Sequence, residues 1–221
     1  MPLTAAERLI AESLDPARGP ACLTCSFQAE DILVLDLARR HQPRIPVLFL
    51  DTGYHFAATY AYRDRMAAEW DLNLVNLVSA LGVPEQEAQF GILHQSDPGR
   101  CCALRKVAPL MTALENYAVW LTGLRREQSP TRANLAALET HRLPSGRTLR
   151  KVNPLAEWKW NEVWSCLAVR EIPHLPLYDQ GYPSIGCEPC TARPLDPANL
   201  RSGRWGGMKL ECGIHTATQG A

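Results

Sequence analysis

A chain of 221 residues is long enough to bury one full core, and its size suits one large domain or a domain with an appended tail. Its 23 basic and 23 acidic side chains cancel. No global field therefore draws it to nucleic acid or to an anionic membrane, and an anionic ligand has to be met by local clusters of arginine. Apolar stretches such as residues 47–50 are far too short to span a bilayer, and residues 1–14 lack the basic start and apolar run of a signal peptide, so a cytosolic protein is expected.

In chain order, residues 1–14 read as an amphipathic helix with Thr4 as its cap. Strands are expected at 21–27, 47–50, 72–77 and 118–122, and helices between them at 29–40, 56–70 and 102–117. Such alternation predicts an α/β fold, a mostly parallel sheet flanked by helices. Ligands of such folds bind beyond the C-terminal ends of the strands. The loops there are polar: Ser26 to Asp31 after the first strand, Asp51 to His55 after the second, Thr122 to Arg132 after the fourth, all converging on one edge. After about Pro173 the chain turns rich in Pro and Gly, which suits a metal-binding loop followed by a mobile tail. We divide it into an α/β domain, 1–200, and a flexible segment, 201–221.

Eight cysteines in a reducing compartment point to metal binding or chemistry rather than to structural disulfides. Cys22 and Cys25 have redox-motif spacing, but positions three apart on a strand face opposite sides of the sheet, so both are expected in the core. Cys166, in a Trp- and Leu-rich helical stretch, reads as a small buried hydrophobe. Five remain: Cys101-Cys102, Cys187-Glu-Pro-Cys190, and Cys212 within Glu211-Cys212-Gly213-Ile214-His215. The first four can hold one inorganic centre. Structural zinc usually takes two knuckles of spaced cysteines. Adjacent cysteines opening a helix diverge by about 100° around its axis, a spread that suits separate irons better, so spacing favours a [4Fe–4S] cluster over zinc without excluding it. Lys106, four residues beyond Cys102, would share its helical face and offset cluster charge or reach an anion beside it. Cys212 is left over as a thiol flanked by Gly206, Gly207 and Gly213, able to approach a site or leave it; Arg201, Arg204, Lys209 and His215 could favour its thiolate, whereas Glu211 would oppose it.

The segments from Cys101 through Lys106, Trp120 through Arg132, Lys151-Val-Asn-Pro-Leu, Asp179 through Cys190 and Glu211 through His215 together resemble the assimilatory sulfonucleotide reductases. They are most similar to the iron–sulfur, thioredoxin-dependent adenylylsulfate (APS) reductases. The resemblance runs from about Cys22 to His215 and moves the choice decisively from zinc to one [4Fe–4S] cluster per chain, on Cys101, Cys102, Cys187 and Cys190. It implies an ATP-pyrophosphatase-like (adenine nucleotide alpha hydrolase-like) fold with a modified phosphate loop at Ser26, and a nucleoside-holding segment containing Asp51 and Gly53. Lys106, Arg132, Arg201, Arg204 and His215 would surround phosphate and sulfate, where arginines give charge-assisted, often bidentate bonds. Cys212 would be the nucleophile that forms an S-sulfocysteine on reduction of APS to sulfite and AMP. With no thioredoxin-like domain after His215, a separate thioredoxin is the expected reductant. The 3′-phosphorylated substrate, PAPS, is the alternative; a homo-oligomer is compatible with the sequence.

Overall fold

The computed structural model describes residues 2–194, 196, 199–207, 209 and 211–215. Helix α1 (Pro2–Ser13) already begins at Pro2, so Thr4 lies inside its first turn and is not the cap. Met1 lies outside the described residues. Strand β1 (Ala21–Thr24) ends three residues earlier than expected, because Phe27 takes a φ of +60° to turn the chain into α2 (Ala29–Arg39). Then come β2 (Pro46–Asp51), α3 (Ala57–Glu69) and β3 (Asn73–Val78). Two helices not expected from the sequence follow, α4 (Val83–Phe90) and α5 (Leu93–Ser96).

The helix expected from Cys102 starts earlier and is not uniform. It comprises α6 (Pro98–Cys102), a π-helical turn (Ala103–Val107) and α7 (Ala108–Leu114). Asp97 starts it, its carboxylate accepting the Arg100 amide at 2.9 Å, and Pro98 fills the first helical position. The paired cysteines therefore close the first turn rather than open the helix. Strand β4 (Val119–Leu121) is followed by an unexpected hairpin, β5 (Leu138–Arg142) and β6 (Thr148–Val152), and by α8 (Trp160–Val169). Among the described residues beyond 173, regular structure is limited to single turns at Glu188–Cys190 and Trp205–Gly207.

The sheet order is β3-β2-β1-β4-β6-β5, parallel throughout except for the β5–β6 pair. From β1 the chain builds outward through β2 and β3, then returns to place β4 on the other flank of β1. The loops leaving β1 and β4 diverge, and the crevice between them is where such sheets receive ligands. Helices α1, α2, α3 and α8 cover one face, with Ile10, Leu33, Leu37, Met66 and Val163 in its core. Helix α7 covers the other, packing Leu110 and Leu114 against Leu48, Trp120 and Leu149. Cys22 belongs to the second core and Cys25 to the first, as strand alternation requires.

The loops at the crevice are locked together at Gly123. Its amide donates to Asp31 Oδ1 at 3.1 Å, and a Cβ at this position would lie 2.9 Å from the Asp31 nitrogen. Only glycine allows that approach.

Candidate active site

A cavity of about 1100 Å³ opens at the crevice between β1 and β4. Its first wall is the loop after β1. Asp31 Oδ2 accepts both the Ser26 amide (2.7 Å) and the Ser26 hydroxyl (2.5 Å), and Gln28 donates to the Ser26 hydroxyl at 3.0 Å while its carbonyl takes the Ile185 amide at 2.9 Å. Burial pushes the Asp31 carboxyl up to about 6, against the Ser26 and Gly123 donors that favour its anion. Glu30 is held by Arg125 at 2.7 Å, both side chains buried. Ser26 thus sits in the cavity wall with its loop fastened from behind.

The loop after β2 is placed differently. Asp51 and Gly53 do not line the cavity: the Asp51 carboxylate accepts the Tyr60 hydroxyl (2.7 Å) and the Gly53 amide (3.1 Å), and Gly53, at φ +71°, is packed against Val83 and Arg105. Leu48, Phe49, Leu50 and His55 form the wall instead. Burial lowers His55 to about 4, keeping the ring neutral with Nε2 2.8 Å from the Leu50 carbonyl oxygen.

Lys106, Arg132, Arg201, Arg204, Cys212 and His215 all line the same cavity. Lys106 is buried, which by itself would drive off its proton, but Cys187, Cys212 and Cys102 around it hold the ammonium above its ordinary range. Arg204 is buried against the Trp205 ring, 4.5 Å from its centroid, and reaches Ser184 Oγ at 3.3 Å. A Cβ on Gly186 would come within 2.7 Å of the Arg204 Cζ, so that glycine makes room for the guanidinium. Burial, with Arg132 and Arg204 adding repulsion, lowers Arg201 to about 10.

The segment carrying Cys212 is anchored on both sides of the thiol. On one side Glu211 forms a fork with Arg132, at 2.9 and 2.7 Å, accepts the Thr131 hydroxyl at 2.9 Å and lies 3.9 Å from Arg201. These donors hold its carboxyl below the usual range despite burial. On the other side Ile214 enters the second core, and the His215 ring stacks on Trp120 at 5.4 Å and 19°. Burial, reinforced by Lys151, Arg132, His141 and Arg201, pushes His215 well below its ordinary range, so the docked ring is neutral. Because Glu211 is the only one of these anchors that is ionic, Glu211→Gln is expected to raise the alkylation rate of Cys212 by iodoacetamide several-fold in the nucleotide-free protein. An unchanged rate would mean that Ile214 and His215 hold the segment alone.

Behind Trp205 lies a second, small cavity, lined by Cys101, Cys102, Cys187 and Cys190 together with Thr52 and Lys106. Long-range bridges build it. His55 pairs with Cys187 in an antiparallel bridge, the Glu188 amide donates to the Tyr54 carbonyl at 2.7 Å, and Thr191 pairs with Arg204. Burial and the neighbouring Cys102, Cys187 and Cys190 push the Cys101 thiol up to about 11. Burial acts the same way on Cys187, but Lys106, the Thr52 hydroxyl 3.3 Å away and Arg204 outweigh it and favour the thiolate. The four thiols thus line one common space.

The model of the phosphoadenosine phosphosulfate reductase domain matches residues 20–193. The chain belongs to this family. A Geobacillus kaustophilus relative named adenosine 5′-phosphosulfate reductase is 45% identical over 87% of the chain and 82% of its own length. A Gloeobacter violaceus relative named phosphoadenosine 5′-phosphosulfate reductase is 42% identical over 96% of the chain and 88% of its own length. The crystal structure of a phosphoadenylyl-sulfate reductase from Candida auris, a phosphate complex, superposes with a TM-score of 0.68 at 25% identity, covering 83% of this chain and 88% of that one. The ATP-pyrophosphatase-like fold expected from the sequence is the one observed. Within this family's frame, the sequence reading missed Gln28, Trp120 and Arg105 and took Glu211 only as an opponent of the thiolate. Arg105 and Trp120 stand inside the quoted motifs and Gln28 inside the polar loop from Ser26 to Asp31, so the signal was present; the pairing of Gln28 with Ile185, 157 residues away, has no local sign.

Proposed function

We propose that the protein is an adenylylsulfate reductase that converts adenosine 5′-phosphosulfate to sulfite and AMP in sulfate assimilation, with Cys212 as nucleophile and thioredoxin as the external reductant. The observation that carries this reading is the seating of Cys212 in one cavity with Lys106, Arg132, Arg201 and Arg204. A thiol among buried and half-buried cations suits attack on an anionic sulfur ester, and relatives bearing this name share more than two fifths of their residues with the chain.

The Cys212 thiolate attacks the sulfur of bound APS. The bond from sulfur to the bridging phosphate oxygen breaks, AMP leaves with that electron pair, and an S-sulfocysteine remains on Cys212. Arg201 and Arg204 stabilise the charge gathering on the leaving phosphate, Lys106 serves the sulfate end, and His215 keeps the nucleophile segment seated on Trp120. A thiolate of reduced thioredoxin then attacks the Cys212 sulfur, forming a disulfide and releasing sulfite. Thioredoxin's second thiol breaks that disulfide, returns Cys212 as thiolate and leaves oxidised thioredoxin, so two electrons are balanced.

Four cysteines facing a common space, with the buried Lys106 ammonium beside them, fit one [4Fe–4S] cluster, which Cys101, Cys102, Cys187 and Cys190 would hold. When bound there it would act structurally and electrostatically, at the sulfate end of the pocket beside Lys106.

Incubation with APS alone, followed by mass analysis of the peptide carrying Cys212, is expected to show an added SO₃ group, removed by reduced thioredoxin with release of sulfite. An unmodified peptide would overturn the reading. The 42% identity to a relative named for PAPS supports a second substrate reading. Side-by-side turnover of the two nucleotides decides between them, with APS expected to be preferred.

A further inference from the structure

Among the described residues two buried guanidiniums, Arg105 and Arg204, are bonded to no carboxylate, and of the two only Arg105 lines the small cavity. Arg105 lies in the π-helical turn directly after the paired cysteines and is 4% exposed. Its Nε donates to the Thr52 carbonyl at 2.5 Å, and its Nη1 donates to the Leu81 carbonyl at 3.2 Å and to Gln86 Oε1 at 3.1 Å, all neutral acceptors. The Tyr54 ring lies 5.3 Å from its Cζ, and the carboxylate of Glu87 is taken by the Tyr54 hydroxyl. The contrast within the same chain is Arg125, equally buried, which pairs with Glu30 and Glu127 at 2.7 and 2.8 Å.

Burying a charge without an opposite one is costly, and a guanidinium cannot escape the cost by losing its proton. The negative charge that matches Arg105 must come from something else in its surroundings. Arg105 lines the small cavity together with all four cysteines. Its bond to the Thr52 carbonyl also braces the residue whose hydroxyl meets Cys187. We propose that Arg105 is the fixed counter-charge of the four-cysteine centre, a positioning residue that stabilises the anionic cage from the Thr52 side while Lys106 faces the nucleophile. This rests on the cofactor reading above.

The test uses anaerobically purified, iron-loaded protein and two readouts independent of turnover: the half-life of iron loss to a chelator, and the midpoint potential of the centre by film voltammetry. Arg105→Gln is expected to lose iron several-fold faster and to show a lower potential, since the extra electron of the reduced centre loses an opposing charge. Arg105→Lys breaks the fork of hydrogen bonds but keeps the charge, so it is expected to stay close to wild type in potential and to load iron even where the glutamine variant does not. A lysine variant that falls as far as the glutamine variant would overturn the proposal, because the hydrogen bonds rather than the charge would then matter. Loaded wild-type and glutamine proteins with equal readouts would overturn the Arg105 assignment alone. Wild-type protein without iron would overturn it together with the cofactor reading.

Discussion

Cys212→Ser is expected to fold, to bind iron to the same extent as the wild-type protein, and to release no sulfite from APS, a loss on the order of 10⁶-fold in kcat, as found when other covalent nucleophiles are removed. The four cysteines of the small cavity are separate from Cys212, and the contacts that seat its segment belong to Glu211, Ile214 and His215. The substitution therefore removes the reacting atom and leaves its anchors in place. A hydroxyl in the same position is far harder to ionise than a thiol, and no side chain within the described contacts is arranged as its base. Sulfite release with thioredoxin, the iron content and the mass of the Cys212 peptide check this expectation. Sulfite release at more than a trace level would remove Cys212 from the mechanism.

The second large effect is expected at Lys106. Lys106→Met keeps the length and apolar stem of the side chain and removes the buried ammonium that stands among Cys187, Cys212 and Cys102. Loss of one preorganised donor to developing charge costs about 10² to 10³-fold in kcat/KM, and that is the expected loss here. AMP lacks the sulfate that Lys106 would serve, so its affinity is expected to change little, with Arg201 and Arg204 still lining the pocket. Steady-state kinetics, AMP binding and iron content separate the cases. A kcat/KM near the wild-type value in iron-loaded protein would exclude the ammonium from catalysis, and a matching loss of AMP affinity would move its role to nucleotide binding.

Much of this site is legible along the chain because its chemistry is carried by residue type. The division of the cysteines follows from their spacing, and the opposite facing of Cys22 and Cys25 follows from strand alternation. Strands β1, β2 and β4 show as apolar runs because both faces of the central sheet are covered, whereas β3, at one edge, shows through Leu74, Val75, Leu77 and Val78 among asparagines. The β5–β6 hairpin does not, because it forms the other edge of the sheet and alternates residues such as Glu139, Arg142 and Arg150 with apolar ones. Asp51 and Gly53 stand where a nucleoside segment is expected, yet packing against Tyr60, Val83 and Arg105 turns them from the cavity. Glu211 reads in isolation as an acid that opposes its neighbouring thiolate, and the fold gives its charge to Arg132.

By itself the sequence determined the kind of protein: an α/β chain with four cysteines suited to an inorganic centre and a fifth suited to reaction. Those properties reside in composition and short spacing, which local rules can read. Only the tertiary structure decided which groups meet. The crevice exists because β4 returns to the flank of β1, the small cavity exists because His55 bridges to Cys187, and Glu211 reaches Arg132 across 79 residues of sequence. Such pairings depend on the register of the sheet and the packing of distant loops, whose energies arise only once the whole chain is folded.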